Sequence, residues 1–167
     1  SAGPFVPEVV LEHPEVVTQL HREFIRAGSD VVQAFTYYGH REKLRIIGKE
    51  HLLEPMQKGA LKIAKDAAAE FKDLDLMVCG DVANTNVFDP GDANTHKQCQ
   101  QMYEEQVAWA KEAGVDFVIA ETISWTDEMK IALKAIKDAG LIAVCNFAIP
   151  RGDKTREGHS AEDACKM

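Results

Sequence analysis

Apolar positions along this chain follow two alternating patterns. The first has helical spacing: Val16, Val17, Leu20, Phe24 and Ile25 recur at steps of three and four, which is one face of a helix. The second is a short run with few breaks, as in Val31-Val-Gln-Ala-Phe35 and Val115-Asp-Phe-Val-Ile-Ala120. A strand apolar on both faces is a buried parallel strand. The patterns predict a helix over 14–27, a strand over 31–35, a mostly helical region over 50–71 and a strand over 74–79. A helix over 95–113, a strand over 115–120, a helix over 127–139 and a strand over 141–147 follow. Pro14 suits a first helical position, and Ser160-Ala-Glu-Asp163 reads as a cap with an acidic first turn.

A weak internal repeat punctuates the alternation. Arg26-Ala27-Gly28, Glu112-Ala113-Gly114 and Asp138-Ala139-Gly140 each close a helix just before a strand. Glycine takes the left-handed cap there at low cost. Helix and strand in alternation imply right-handed crossovers and a parallel sheet, hence an α/β fold. Two architectures fit the four visible strands. One is an open sheet with about one strand more. The other is roughly half of a (β/α)8 barrel, a fold of about 250 residues.

Composition narrows the picture. The 167 residues suffice for one ordinary domain, and 46% apolar with 28% charged residues is a globular balance. A net charge of −8 argues against nucleic acid as the main partner, because phosphate binding needs a basic face. No apolar run approaches the length of about 18 residues that a membrane span needs. Ser1-Ala-Gly-Pro4 lacks a secretory pattern. The cysteines, at 79, 99, 145 and 165, form no C-x-x-C pair. Cys79 and Cys145 sit in apolar runs and read as small core residues; a reduced, cytoplasmic setting fits best. The chain has no initial Met and stops inside a predicted helix, so it is expected to be an internal piece of a longer protein.

Candidate chemistry gathers at the predicted strand exits. Tyr38 follows the first strand, Asp81, Asn84 and Thr85 the second, and Glu121 and Thr122 the third, with Asn146 near the end of the fourth. Ligands of α/β proteins sit at that end of the sheet. Taken singly, most such residues are ordinary turn and cap formers. Glu121 stands apart, because a carboxylate ending a wholly apolar strand is costly unless paired. G-x-G-x-x-G, G-x-x-x-x-G-K-[ST], H-E-x-x-H and G-x-S-x-G are absent from the sequence. His13, His21, His40, His51, His96 and His159 show no ligand spacing and read as surface or capping residues. Cys79 and Cys145 without a third ligand make a poor zinc site. Glu104-Glu105 and Asp127-Glu128 read as solvated helix faces. A receiver-type phosphoacceptor would need an acidic pair after the first strand and a Lys after the last, and neither is evident.

Gly3-Pro4-Phe5-Val-Pro7-Glu8, Glu12-His13-Pro14-Glu15 and Gln19-Leu20-His21-Arg22-Glu23-Phe24-Ile-Arg26-Ala27-Gly28-Ser29 resemble the homocysteine S-methyltransferase family, most closely its betaine–homocysteine branch. The similarity continues through Gln33-Ala-Phe35-Thr36-Tyr37-Tyr38 and Glu42-Lys43-Leu44 and returns at Val115–Glu121. Residues 152–165 look like the family's fifth βα loop and helix. The stretch 45–75 resembles it only weakly.

The resemblance implies a (β/α)8 TIM barrel, of which residues 1–167 would form one incomplete domain with about strands 2–5 and their helices. It implies transfer of a methyl group from betaine or a related onium donor to homocysteine, giving methionine. It also implies Zn2+ held by three cysteine thiolates, one after the sixth strand and a pair after the eighth. Those positions are expected beyond Met167, so no metal ligand is assigned here. Zinc would keep the homocysteine sulfur deprotonated for attack on the methyl group. The implied partners are homocysteine and a methyl donor, and a homo-oligomer is compatible with the family.

Glu121 matches the carboxylate that holds the homocysteine amino group, and Tyr38 an aromatic residue of the donor pocket. Asn84 and Thr85 join them as substrate-binding candidates. Phe5 stands where the betaine enzymes carry Trp, Thr122 where they carry Tyr, and Ala34 where a Thr is expected. Phe is the weaker face for a quaternary ammonium, which leaves room for a sulfonium donor. The alternative reading is a metal-free α/β module that binds a small molecule without catalysis.

Overall fold

The computed structural model describes residues 7–149 and 152–167. The chain opens with a short helix α1 (Val9–Glu12) and α2 (Pro14–Arg26). Strand β1 (Val31–Gln33) leads through α3 (Arg41–Ile46), a 3-10 turn and α4 (Leu53–Ala69) to β2 (Met77–Ala83). Then come α5 (Ala93–Ala113), β3 (Phe117–Ile123), α6 (Thr126–Asp138), β4 (Ile142–Phe147) and α7 (Ala161–Lys166). All four strands are parallel, and their order in the sheet is their order in the chain.

That order decides between the two architectures. Val32, Val78, Val82, Val118 and Ala120 face the helices and share one core with Tyr103, Val107, Ala132 and Ile136. On the other face Met77 and Val144 are each 44% exposed and Ile142 is 69% exposed. A doubly wound sheet carries helices on both faces. Sequential strands with helices on one face are the winding of a barrel wall, whose inner face meets other barrel side chains. The structure therefore favours part of a (β/α)8 barrel over the open sheet. A second cluster, with Val10, Val17, Leu44, Met56 and Ala60, joins α1 and α2 to α3 and α4.

Strand boundaries differ from the sequence pattern in one consequential way. The strand expected over 74–79 runs Met77–Ala83, and the one expected over 115–120 runs Phe117–Ile123. The apolar run ends at the first charged residue, but the parallel ladder pairs backbone groups and continues, with Asp81 opposite Ile119 and Ala83 opposite Glu121. Asp81, Glu121 and Thr122 are therefore inside the sheet. The first strand is shorter than its run, because the Thr36 N–H turns back to the Ala34 carbonyl at 2.8 Å. Gly80 lets α5 approach the sheet: a Cβ there would stand 3.0 Å from the Ala110 Cβ.

Two histidines expected at the surface or as caps are buried. His21 is among the buried polar residues of α2. His40 caps α3, its Nδ1 accepting the Lys43 N–H at 3.4 Å, yet it is 1% exposed. Burial, helped by nearby Lys43, pushes the His40 pKa down to about 4. The unfolded chain's histidine, near 6.5, takes up a proton that the folded one resists. Stability is thus full above about pH 6.5 and is lost as pH falls toward 4. Between pH 7 and pH 5 the loss is expected to be about 2 kcal/mol. Urea midpoints at the two pH values check it, and His40→Asn, which keeps a capping side chain, should shrink the difference by about that amount, leaving the smaller contribution of buried His21.

Candidate functional site

Three polar side chains come together on the inner face, near the C-terminal ends of the strands. Gln33 ends β1, Asp81 lies in β2 and Glu121 in β3. Gln33 Nε2 donates to Glu121 Oε1 at 2.8 Å. Asp81 is 3% exposed, and no donor reaches either carboxyl oxygen; the Glu121 carboxyl is within bonding reach once one of the two carries a proton. Burial, reinforced by the adjacent Glu121 carboxylate, holds the Asp81 carboxyl well above the usual range. The Thr36 hydroxyl fixes the turn after β1 by donating to the Asp81 backbone carbonyl at 3.1 Å.

That turn delivers two aromatic rings. Tyr37 and Tyr38 have centroids 4.3 Å apart at 44°. Tyr37 lies by Thr122 and Glu121, and burial is the main cause that pushes its hydroxyl up to about 12. Tyr38 carries the Lys43 ammonium 4.3 Å from its ring centre. Three non-glycine residues at this end hold left-handed backbone: Tyr38 at φ 57°, Asn86 at 65° and Thr122 at 59°. For β-branched Thr122 that is a genuine outlier. It coincides with the irregularity in β3–β4 pairing between Ala120 and Ile123, a device that re-aims side chains beside functional sites.

The remaining candidates are placed differently. Phe5 lies outside the described residues. Asn84 Nδ2 donates to Asn86 Oδ1 at 2.7 Å. Thr85 is turned into the helix layer, where its N–H and hydroxyl both donate to Glu128 Oε1, at 2.8 and 2.7 Å. Glu128 is only 2% exposed, so the expectation of a solvated acidic pair fails for it. Asp127 takes the outer position. Gln33 and Tyr37 were not singled out as site residues, though a glutamine interrupting Val-Val-Gln-Ala-Phe was a readable signal. A cavity of about 370 Å3 beside β1 is lined by apolar residues such as Leu20, Phe24 and Ile25, and reaches the polar cluster only through Gln33, Ala34 and Tyr37.

Metal chemistry finds no donor set here. Among the described residues no three His, Cys, Asp or Glu are grouped to hold an ion. Burial pushes the thiols of Cys79 and Cys99 up to about 12 and about 11, away from the thiolate a metal needs. Cys145, expected in the core, is exposed, because β4 is an edge strand of the sheet and none of its positions is fully covered. The zinc that the family resemblance implies does not fit these residues, and no step is assigned through it.

Comparison with known proteins gives the class. A sequence model of homocysteine S-methyltransferase matches residues 3–167. The betaine–homocysteine S-methyltransferase 1 of Bos taurus is 34% identical over 158 residues, which cover 92% of this chain and 38% of that protein. The Sus scrofa protein of the same name is 34% identical over 158 residues, covering 92% and 55%. The metallated form of the Escherichia coli homocysteine methyltransferase MmuM superposes with a TM-score of 0.81 at 17% identity, over 95% of this chain and 60% of that one. That likeness fits the partial barrel. The chain belongs to the homocysteine S-methyltransferase family, and it spans from 38% to 55% of the length of those two curated relatives.

Proposed function

We propose that the protein carrying this chain moves a methyl group from an onium donor to the sulfur of homocysteine, giving methionine. In this reading the chain supplies the part of the site that holds the amino-acid end. The observation that carries it is Glu121, fixed by Gln33 at the ligand end of parallel strands in a member of this family. A carboxylate facing an ammonium there makes a strong charge-assisted contact.

In the transfer, the bond from methyl carbon to the donor nitrogen or sulfur breaks, and its electron pair stays with the donor. A new carbon–sulfur bond forms, and the thiol proton goes to solvent. Tyr37 and Tyr38 form the aromatic wall toward the donor, with Thr122 and Asn84 beside it and Phe5 as a further candidate. Thr85, by its bonds to Glu128, holds the Asn84 loop. Betaine is supported by the names of the relatives, and a sulfonium fits the same cationic chemistry. A reduced, cytoplasmic setting is part of this reading and rests on the four free cysteines. Among the described residues no helix is long and apolar enough to cross a membrane.

The test is methionine formation by the full-length protein from homocysteine, with betaine and a methylsulfonium compound supplied in parallel. Methionine from at least one donor is expected. None from either overturns the proposal.

A further inference from the structure

The Asp81 backbone serves the sheet and the turn after β1, but its side chain ties no element of the fold together. Its carboxyl is buried, no donor group of the fold reaches either oxygen, and its neighbour is another carboxyl, that of Glu121. A buried polar group left unpaired costs stability, so its presence calls for a use. Its side chain lies on the same sheet face as Glu121 and Gln33, given the pairing of Ala83 with Glu121 and of Gln33 with Cys79. Glu121 has one oxygen engaged by Gln33.

We propose that Asp81 and Glu121 act as one carboxyl pair sharing a single proton, and that this pair recognises the α-ammonium group of the amino-acid substrate. The proposal rests on the function proposed above and adds a specificity residue to it. An ammonium group brings one positive charge and three donors. A pair with a single proton brings one negative charge, the second Glu121 oxygen and the Asp81 carbonyl oxygen as acceptors. Charge is then balanced inside a site where an uncompensated charge is expensive.

The groups around the pair agree with that balance. Cys79 on the same strand and Tyr37 from the turn after β1 are both pushed up to about 12. Both are neutral near pH 7, which leaves the pair to carry the local charge. Asp81 itself is held well above the usual carboxylate range, chiefly by burial, so one proton stays on the pair.

The experiment uses the full-length protein and calorimetric binding of L-homocysteine against 4-mercaptobutanoate, its analogue without the amino group. The wild type is expected to prefer homocysteine by about 100-fold. Asp81→Asn should keep that preference within about 3-fold, because its amide both donates to Glu121 and accepts from the ammonium. Asp81→Ala should cut the preference by at least about 10-fold. The thermal midpoint without ligand should stay within about 2 °C of wild type in Asp81→Asn, since its amide takes over the bond to Glu121 that the protonated carboxyl makes.

Wild-type preference in Asp81→Ala overturns the proposal. So does an Asp81→Asn variant that loses preference as fully as Glu121→Gln, which would make Asp81 a second anion. A wild-type protein that binds neither compound overturns the methyltransferase reading itself, an outcome distinct from the other two.

Discussion

Glu121→Gln in the full-length protein is expected to lower kcat/KM for homocysteine by about 100- to 1,000-fold, the value of a charge-assisted contact of about 3–4 kcal/mol. The substitution keeps volume and keeps an oxygen for the Gln33 amide, which now stands 2.8 Å from Glu121 Oε1. What it removes is the negative charge. Glu121 is only half-buried, so the neutral amide adds little desolvation cost and the fold should survive. The loss should concentrate on the amino acid: KM for the methyl donor, measured at saturating homocysteine, should stay within about twofold, because uniform binding to the other substrate is untouched. Steady-state kinetics with each substrate varied in turn checks both statements. Unchanged homocysteine kinetics would remove Glu121 from the site.

Much of this was readable in the chain itself. The Ala-Gly closures before strands show the βα alternation, since only a residue tolerant of positive φ ends a helix that way; Gly114 indeed has φ 70°. Glu121 was legible as a carboxylate interrupting an apolar run. The limits were physical. Apolarity does not mark where a ladder ends, because backbone bonds carry β2 through Asp81 to Ala83 whatever the side chain. Asp127 and Glu128 look alike in sequence, but neighbours on a helix point about 100° apart. Glu128 shares the face of Ala132 and Ala135, four and seven residues on, both of which are in the core. The left-handed Thr122 has no sequence signature at all, since threonine disfavours that backbone.

Glu128→Ala is expected to be the most destabilising of these changes, at about 3–5 kcal/mol. One carboxylate oxygen, Oε1, takes the Thr85 N–H at 2.8 Å, the Thr85 hydroxyl at 2.7 Å and the Tyr103 hydroxyl at 3.1 Å. Thr85 and Tyr103 are both fully buried, so truncation strands three donors away from water. Each orphaned donor carries a desolvation cost of about 1–3 kcal/mol, partly recovered by relaxation. For a domain of this size the thermal midpoint should fall by about 10 °C. Glu128→Gln keeps an acceptor oxygen and should cost less, about 1–2 kcal/mol. The effect should also reach the site, because Glu128 anchors the loop that follows β2. With Thr85 released, Asn84 and the left-handed Asn86 lose their support, and KM for the substrates should rise even in protein that remains folded. Calorimetric melting and kinetics on the folded fraction separate the two consequences. A Glu128→Ala midpoint within about 1 °C of wild type would show that the buried carboxylate is not the fastening of this loop.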